Sequence, residues 1–141
     1  MDDLVEFLRA RFDEDERIAR RTTERQPYDE WDAVGDDREG DAARKYWSVA
    51  KIARMEPIPA ARDLAVHIAR HDPARVLREI DAKRQIVAQY VEHERLDRET
   101  FDAEGQHARS LVSLRAAYLD AVRELATVYA DHPDYRKEWR P

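Results

Sequence analysis

The chain has 141 residues, of which 40% are charged and 43% are hydrophobic, and it carries a net charge of −6. This length is typical of one domain with a sizeable core, and the composition favours helices. Cysteine is absent and only three glycines occur, which excludes disulfides, thiolate metal sites, cysteine nucleophiles and glycine-rich phosphate loops.

The first residues of the chain show neither a basic region nor a long apolar run, which argues against a secretory signal. No stretch approaches the roughly 20 apolar residues that span a membrane. We therefore expect a cytoplasmic protein without a membrane partner. A single helical domain is predicted over residues 1–141.

Negative charge is concentrated in residues 1–40, which contain 14 Asp or Glu and 7 Lys or Arg. Such a surface is commonly a solvated one. The alternative is an acidic patch that engages a basic partner or imitates nucleic acid. The candidate interaction residues in this region are Asp13, Glu14, Asp15 and Glu16.

The first predicted element is a helix from Asp2 or Asp3 to about Arg21, because apolar residues recur there at helical spacing. Acidic residues at its start and basic residues at its end suit the helix dipole. The apolar stripe of this helix consists of Leu4, Val5, Leu8, Phe12 and Ile18.

Residues 24–40 are predicted to be irregular, because they contain a proline and several glycine–aspartate turns. Two alternatives remain open for the segment that follows. Either an aspartate caps a helix from Ala42 to Met55, or residues 31–34 and 46–52 pair as one short β-hairpin within residues 28–52.

A short helix is predicted from Ala60 to Arg70. It is followed by a longer helix that starts at Pro73, because proline suits the first helical position and Asp72 can cap the first turn. This longer helix continues to about Leu96, and a break is predicted within residues 97–105. The residues of the short helix expected to face inward are Ala61, Leu64, Ala65 and Ile68.

The last predicted helix spans roughly Gln106 to Ala130 and has a heptad-like apolar seam. It should pack antiparallel against the helix that starts at Pro73, with the N-terminal helix lying across the pair. The predicted fold class is therefore mainly α, with the β-hairpin as an open addition. The seam consists of Leu111, Leu114, Tyr118, Val122, Leu125 and Tyr129.

His67 and His71 are four residues apart, the one spacing in this chain that could hold a metal on a helix. On a continuous helix both imidazoles share a face, and His132 is a candidate third ligand. The competing interpretation is structural: Pro73 ends the helix nearby, so that one histidine caps the helix and the other packs in the turn. We predict that the chain binds no metal and no cofactor. The candidate ligands for the alternative, a bound metal, are these three histidines.

The tail, residues 131–141, has no helical period and is predicted to be irregular. Its aromatic side chains Tyr135 and Trp139 are of the type that anchors interfaces. We expect Trp139 to dock, because burial of its large apolar surface is favourable. It docks either on the protein's own helices near the corner at residues 71–73 or on a partner.

Three segments carry a resemblance to a known family. The most specific is His67 to about Val87, with its His-Asp-Pro-Ala-Arg-Val run, and the others are Tyr129 to Trp139 and Asp2 to Arg11. In these segments the chain resembles an uncharacterised family of small actinobacterial and phage proteins, known only as a domain of unknown function. The resemblance implies an actinobacterial or phage origin, and it brings no catalytic residues.

A basic and aromatic cluster, Arg44-Lys45-Tyr46-Trp47 with Lys51 and Arg54, has the composition of a nucleic-acid contact. The chain is acidic overall and shows no helix-turn-helix pattern. Nucleic acid is therefore not the favoured partner.

Together these observations favour a small cytosolic accessory or regulatory protein that acts by binding another protein, through Tyr135, Trp139 and the acidic run. An ordinary enzyme is not favoured, since no serine-centred nucleophile elbow is present and no catalytic residue is predicted. The partner is unidentified, and a homo-oligomer is left open. One alternative is a nucleic-acid-associated protein of a phage or mobile element, and the second is a metal-dependent hydrolase that uses His67 and His71.

Overall fold

The computed structural model describes residues 2–24, 31–34, 48–50 and 62–141. These residues are mainly helical, which confirms the predicted fold class. The elements are α1 Asp2–Glu24, β1 Asp32–Val34, β2 Ser48–Ala50, α2 Arg62–Arg70, α3 Pro73–Glu104, α4 Arg109–Thr127 and a short 3₁₀ turn at Lys137–Trp139.

The chain forms two compact units. The first contains the chain up to Glu14 and from Ile80 onward, and the second contains Asp15–Glu79. Helices α1 and α3 each contribute residues to both units. The single domain over residues 1–141 stays a prediction.

Three helical segments build the first unit. The contacts between α3 and α4 show that the two helices run antiparallel, as predicted: Asp97 pairs with Arg115, and earlier in α3 His93 stacks on Tyr118. The first half of α1 contacts α3 through an ion pair of Asp13 with Arg84. It also contacts the residues directly after α4, through an aromatic contact of Phe12 with Tyr129. The core contains Leu4, Leu8, Phe12, Ile80, Val87, Tyr90, Val122 and Ala126.

Helix α1 is longer than predicted, and its apolar stripe differs at one position. The hydroxyls of Thr22 and Thr23 donate to the carbonyl oxygens of Ala19 and Arg20, at 2.6 and 2.8 Å. In the second unit Ala19 is buried while Ile18 is 59% exposed, so the prediction for Ile18 was wrong. Ala19 is seven residues after Phe12, close to two full turns, and Ile18 lies about 100° away from it.

Helix α3 continues to Glu104, past the predicted end near Leu96. It ends because Gly105 takes a left-handed conformation, with φ 68°, and donates its N–H to the carbonyl of Phe101 at 2.7 Å. This end lies within residues 97–105, where a break was predicted. Asp97 is part of the helix, and its side chain is buried and paired within the first unit.

Helix α4 is shorter than the predicted span from Gln106 to Ala130. Val122 and Ala126 of this helix are fully buried, whereas Leu114 is 43% exposed, so its assignment to the buried seam was wrong. Leu114 is eight residues before Val122, which places it about 80° around the helix from Val122.

The second unit contains the strands β1 and β2, which pair antiparallel with Asp32 opposite Ala50 and Val34 opposite Ser48. Of the two alternatives, the hairpin is therefore confirmed at these residues, and the helix over 42–55 is wrong at 48–50. Of the segment 24–40, predicted to be irregular, Glu24 is helical as the last residue of α1 and residues 31–34 are described. The rest of both segments lies outside the described residues. Helix α2 packs against both strands.

The inward face of α2 is made of small residues. Ala65 and Ala69 are buried. Leu64 is 52% exposed, so its predicted inward position was wrong, because it lies about 100° from Ala65. The predicted inward residue Ala61 lies outside the described part of the chain.

The corner between α2 and α3 confirms the predicted helix start. Asp72 accepts a hydrogen bond from the backbone N–H of Arg75 at 2.7 Å, which is an N-cap, and Pro73 is the first residue of α3.

Candidate interaction surface

The two candidate metal-binding histidines, His67 in α2 and His71 directly after it, lie side by side. Their ring centroids are 4.4 Å apart, and the His71 Nδ1–H donates to the carbonyl oxygen of His67 at 2.8 Å. His71 thus caps the end of α2, as the structural interpretation predicts. His132 is engaged in the first unit, where its Nδ1 accepts the N–H of Asp134 and its Nε2 contacts the guanidinium of Arg11. Within the described ranges no group of three or more His, Cys, Asp or Glu side chains is arranged to hold a metal ion.

The acidic run of α1 is already paired inside the chain. In the first unit Asp13 binds Arg84 at 2.7 Å and Glu14 binds Arg11 at 3.0 Å. In the second unit Glu16 binds Arg20 at 2.7 Å, and Asp15 also makes an interaction. A basic partner would have to compete with these contacts. The interaction role of the run stays a prediction.

The tail folds back onto α1 within the first unit. Trp139 is 9% exposed and packs against Phe7 with ring centroids 4.9 Å apart, and Tyr135 lies 6.1 Å from the same ring. Arg136 lies over the Trp139 ring and binds Asp3 at 2.7 Å. Of the two alternatives for Trp139, the structure has docking on the protein's own helices, but the receiving surface is α1 and the predicted corner at residues 71–73 was wrong. This docking gives both aromatics a structural role, and their role in an interface stays a prediction.

The basic and aromatic cluster from Arg44 to Trp47, with Lys51 and Arg54, lies outside the described residues. None of the helices that the structure describes has the length and apolarity needed to cross a membrane.

Helix α4 and the residue that follows it carry exposed apolar side chains. Leu114 is 43% exposed, and Val128, which continues the helical direction directly after the last residue of α4, is 68% exposed. Ala117, between them, is exposed, and Ala121 and Leu125 are half-buried. We call these five residues, Leu114, Ala117, Ala121, Leu125 and Val128, the outer face of α4.

The five residues of the outer face form one continuous surface. Their spacing along the helix keeps them within an arc of about 80°. None of them is charged. They lie beside the buried face that carries Val122 and Ala126, so the apolar part of α4 is wider than the surface that α3 and α1 cover.

A buried carboxylate fixes the rotation of α4 and thereby the direction of its outer face. Asp97 on α3 is 1% exposed, and each of its oxygens has a partner: His107 Nδ1 at 2.8 Å and Arg115 Nε at 3.3 Å. The ring of Phe101 stacks on His107 with centroids 4.5 Å apart. A buried charge is tolerated only when it is paired in this way. We call Asp97, His107 and Arg115 the carboxylate clamp.

Neither the clamp nor the outer face was predicted from the sequence. A signal for the clamp is present: Asp97 is seven residues after Tyr90, so it occupies a position of the buried stripe of α3. An acidic residue at such a position requires a partner from elsewhere in the fold. The identity of the partners, His107 and Arg115, depends on the tertiary packing.

The sequence model of one protein family matches residues 1–141. The chain belongs to DUF6221, a family of unknown function. This membership confirms the resemblance to a family without an established activity. No curated protein and no solved structure matches the chain significantly.

Membership of DUF6221 assigns no role to any side chain, so the function must be argued from the geometry. The candidate surfaces of this DUF6221 chain differ in one respect. The acidic run and the tail aromatics already have partners within the chain, whereas the outer face of α4 presents large apolar side chains to solvent.

Proposed function

We propose that this DUF6221 protein is a small cytosolic accessory or regulatory protein that acts by binding another protein, and that it docks through the outer face of α4. The observation that supports this most is the exposure of Leu114 and Val128 on one side of a helix whose adjoining face is buried. Contiguous apolar patches of this kind commonly mark interaction sites.

The energetics favour docking at this face. Full burial of a Leu or Val side chain contributes ~1.5–3 kcal/mol relative to exposure. No charged side chain of the outer face has to be desolvated when it is covered, which keeps the cost of binding low. A partner with a complementary apolar ridge therefore gains from Leu114 and Val128 together, while the carboxylate clamp holds α4 in a fixed orientation before binding.

The proposal is tested by affinity capture from the native host, quantified by mass spectrometry. Leu114→Glu and Val128→Glu place a charge on the outer face. Ala116→Glu is the matched control, because Ala116 is exposed on the same helix about 200° around from Leu114. We expect one or more proteins to be captured by the wild type and the Ala116→Glu variant and lost from the other two. Capture that is unchanged in Leu114→Glu and Val128→Glu would contradict the assignment of the docking surface.

A further inference from the structure

We propose that the partner covering the outer face of α4 is the same face of a second copy of this chain, packed antiparallel about Ala121. This inference rests on the proposed function and names the partner of the same surface.

The spacing of the outer face is symmetric. From Leu114 to Val128 the five residues follow one another at intervals of three, four, four and three, with Ala121 at the centre. When two such helices are paired antiparallel around a two-fold axis through Ala121, each residue meets its mirror position in the partner. A closed two-fold interface requires this self-complementarity, in which residue i contacts residue j and residue j contacts residue i.

The side-chain sizes also match in this arrangement. Ala121 lies opposite Ala121 of the second copy, and the small Ala117 lies opposite the larger Leu125. At the ends, Leu114 lies opposite Val128. Small residues at the centre allow the helix axes to approach to about 8 Å, and the larger residues then fill the space on either side.

The charges of α4 favour the antiparallel direction. Residues 109–119 contain no acidic residue and two arginines, of which Arg115 is already paired with Asp97 and Arg109 is exposed, whereas residues 120–131 contain three acidic residues and one arginine. Antiparallel pairing places the positive half of one helix opposite the negative half of the other. The helix dipoles favour the same direction, because the positive end of one helix then lies near the negative end of its partner.

The size of the face indicates a weak association. The distance from Leu114 to Val128 along the helix is about 21 Å, and one helix face of this length covers less than the ~800 Å² per partner of a typical stable complex. Dimerisation should therefore depend on protein concentration.

Disulfide cross-linking tests the arrangement, since the chain has no cysteine of its own. Ala121→Cys should form a covalent dimer under mild oxidation, because facing residues of closely packed helices lie within disulfide range. Ala117→Cys and Leu125→Cys should cross-link to each other when mixed. Each should fail alone, because two copies of the same position are about 12 Å apart along the helix. Ala116→Cys is the control and should stay monomeric.

The result that supports the inference is mixed dimers of Ala117→Cys with Leu125→Cys in excess of same-variant dimers, together with cross-linking of Ala121→Cys. Circular dichroism of each variant verifies that it is folded. Cross-linking of Ala117→Cys with itself would overturn the antiparallel arrangement, and the absence of any cross-link from Ala121→Cys up to millimolar protein would overturn the dimer. If the dimer fails while Leu114→Glu still loses a captured host protein, the proposed function stands and this inference alone is wrong.

Discussion

Asp97 on α3 and Arg115 on α4 form an ion pair 3.3 Å long, and the carboxylate is 1% exposed. His107, from the connection between the two helices, binds the other oxygen of the same carboxylate at 2.8 Å. One buried side chain therefore ties together two helices and the turn that joins them. It limits the rotation of α4, on which the position of the outer face depends.

Replacing the clamp carboxylate should destabilise the first unit. Asp97→Asn retains the shape of the side chain but removes its charge, which weakens both bonds, and we expect a loss of about 2 kcal/mol in the free energy of unfolding. Asp120→Asn is the control, because Asp120 is exposed on α4. Urea denaturation followed by circular dichroism measures both variants, and equal stability of Asp97→Asn and wild type would show that the clamp is not structural.

The docked tail should contribute to stability. Trp139→Ala removes a nearly buried indole from its contact with Phe7, and we expect a loss of about 3 kcal/mol. Lys137→Ala changes an exposed neighbour and should have little effect. Deletion of residues 133–141 should lower the melting temperature at least as much as Trp139→Ala. An unchanged melting temperature after the deletion would contradict the structural role of the tail.

The N-cap of α3 gives a smaller and more local effect. Asp72→Ala removes the acceptor of the Arg75 N–H bond, which should cost ~0.5–2 kcal/mol. Asp72→Asn retains a capping oxygen and should stay close to the wild type. Thermal melts compare the three proteins. The capping account fails when the asparagine variant loses as much stability as the alanine variant.

Substitution of the glycine in the turn between α3 and α4 should lower the stability of the protein. Gly105 has φ 68°, a conformation that costs an L-residue about 1–2 kcal/mol, although a Cβ there would meet no other atom within 4 Å. We therefore expect Gly105→Ala to lower stability by that amount. Gly105→Asn should lower it less, because asparagine tolerates this conformation better. Chemical denaturation measures the stability of the three proteins. Equal stability of both variants and the wild type would contradict this prediction.

Local chemistry made parts of the fold predictable from sequence. The start of α3 depends on Asp72 and Pro73, which act within one turn of the chain. The antiparallel pair follows from two long apolar stripes separated by a short connection. The docking of the tail was predictable because Trp139 has a large apolar side chain, although the receiving helix was not identified from sequence.

The exposure of a side chain could be predicted from sequence only where it did not depend on how much of the helix a neighbouring element covers. Ile18, Leu64 and Leu114 have helical spacing, yet all three are exposed, while the smaller Ala19, Ala65 and Ala126 are buried. Periodicity defines an apolar side of a helix but does not define how much of that side another element covers. The outer face of α4 includes exposed apolar side chains, and it could therefore be found only from the structure.

Site-specific photo-cross-linking in living host cells tests the central claim most directly, because it detects weak contacts at a single residue. A photoreactive amino acid replaces Leu114 in one variant and Ala116 in the other. The account predicts a cross-linked protein adduct from position 114, whether to a second copy or to another protein, and no adduct from position 116. The same adducts from both positions, or no adduct from position 114, would contradict the assignment of the outer face of α4 as a docking surface.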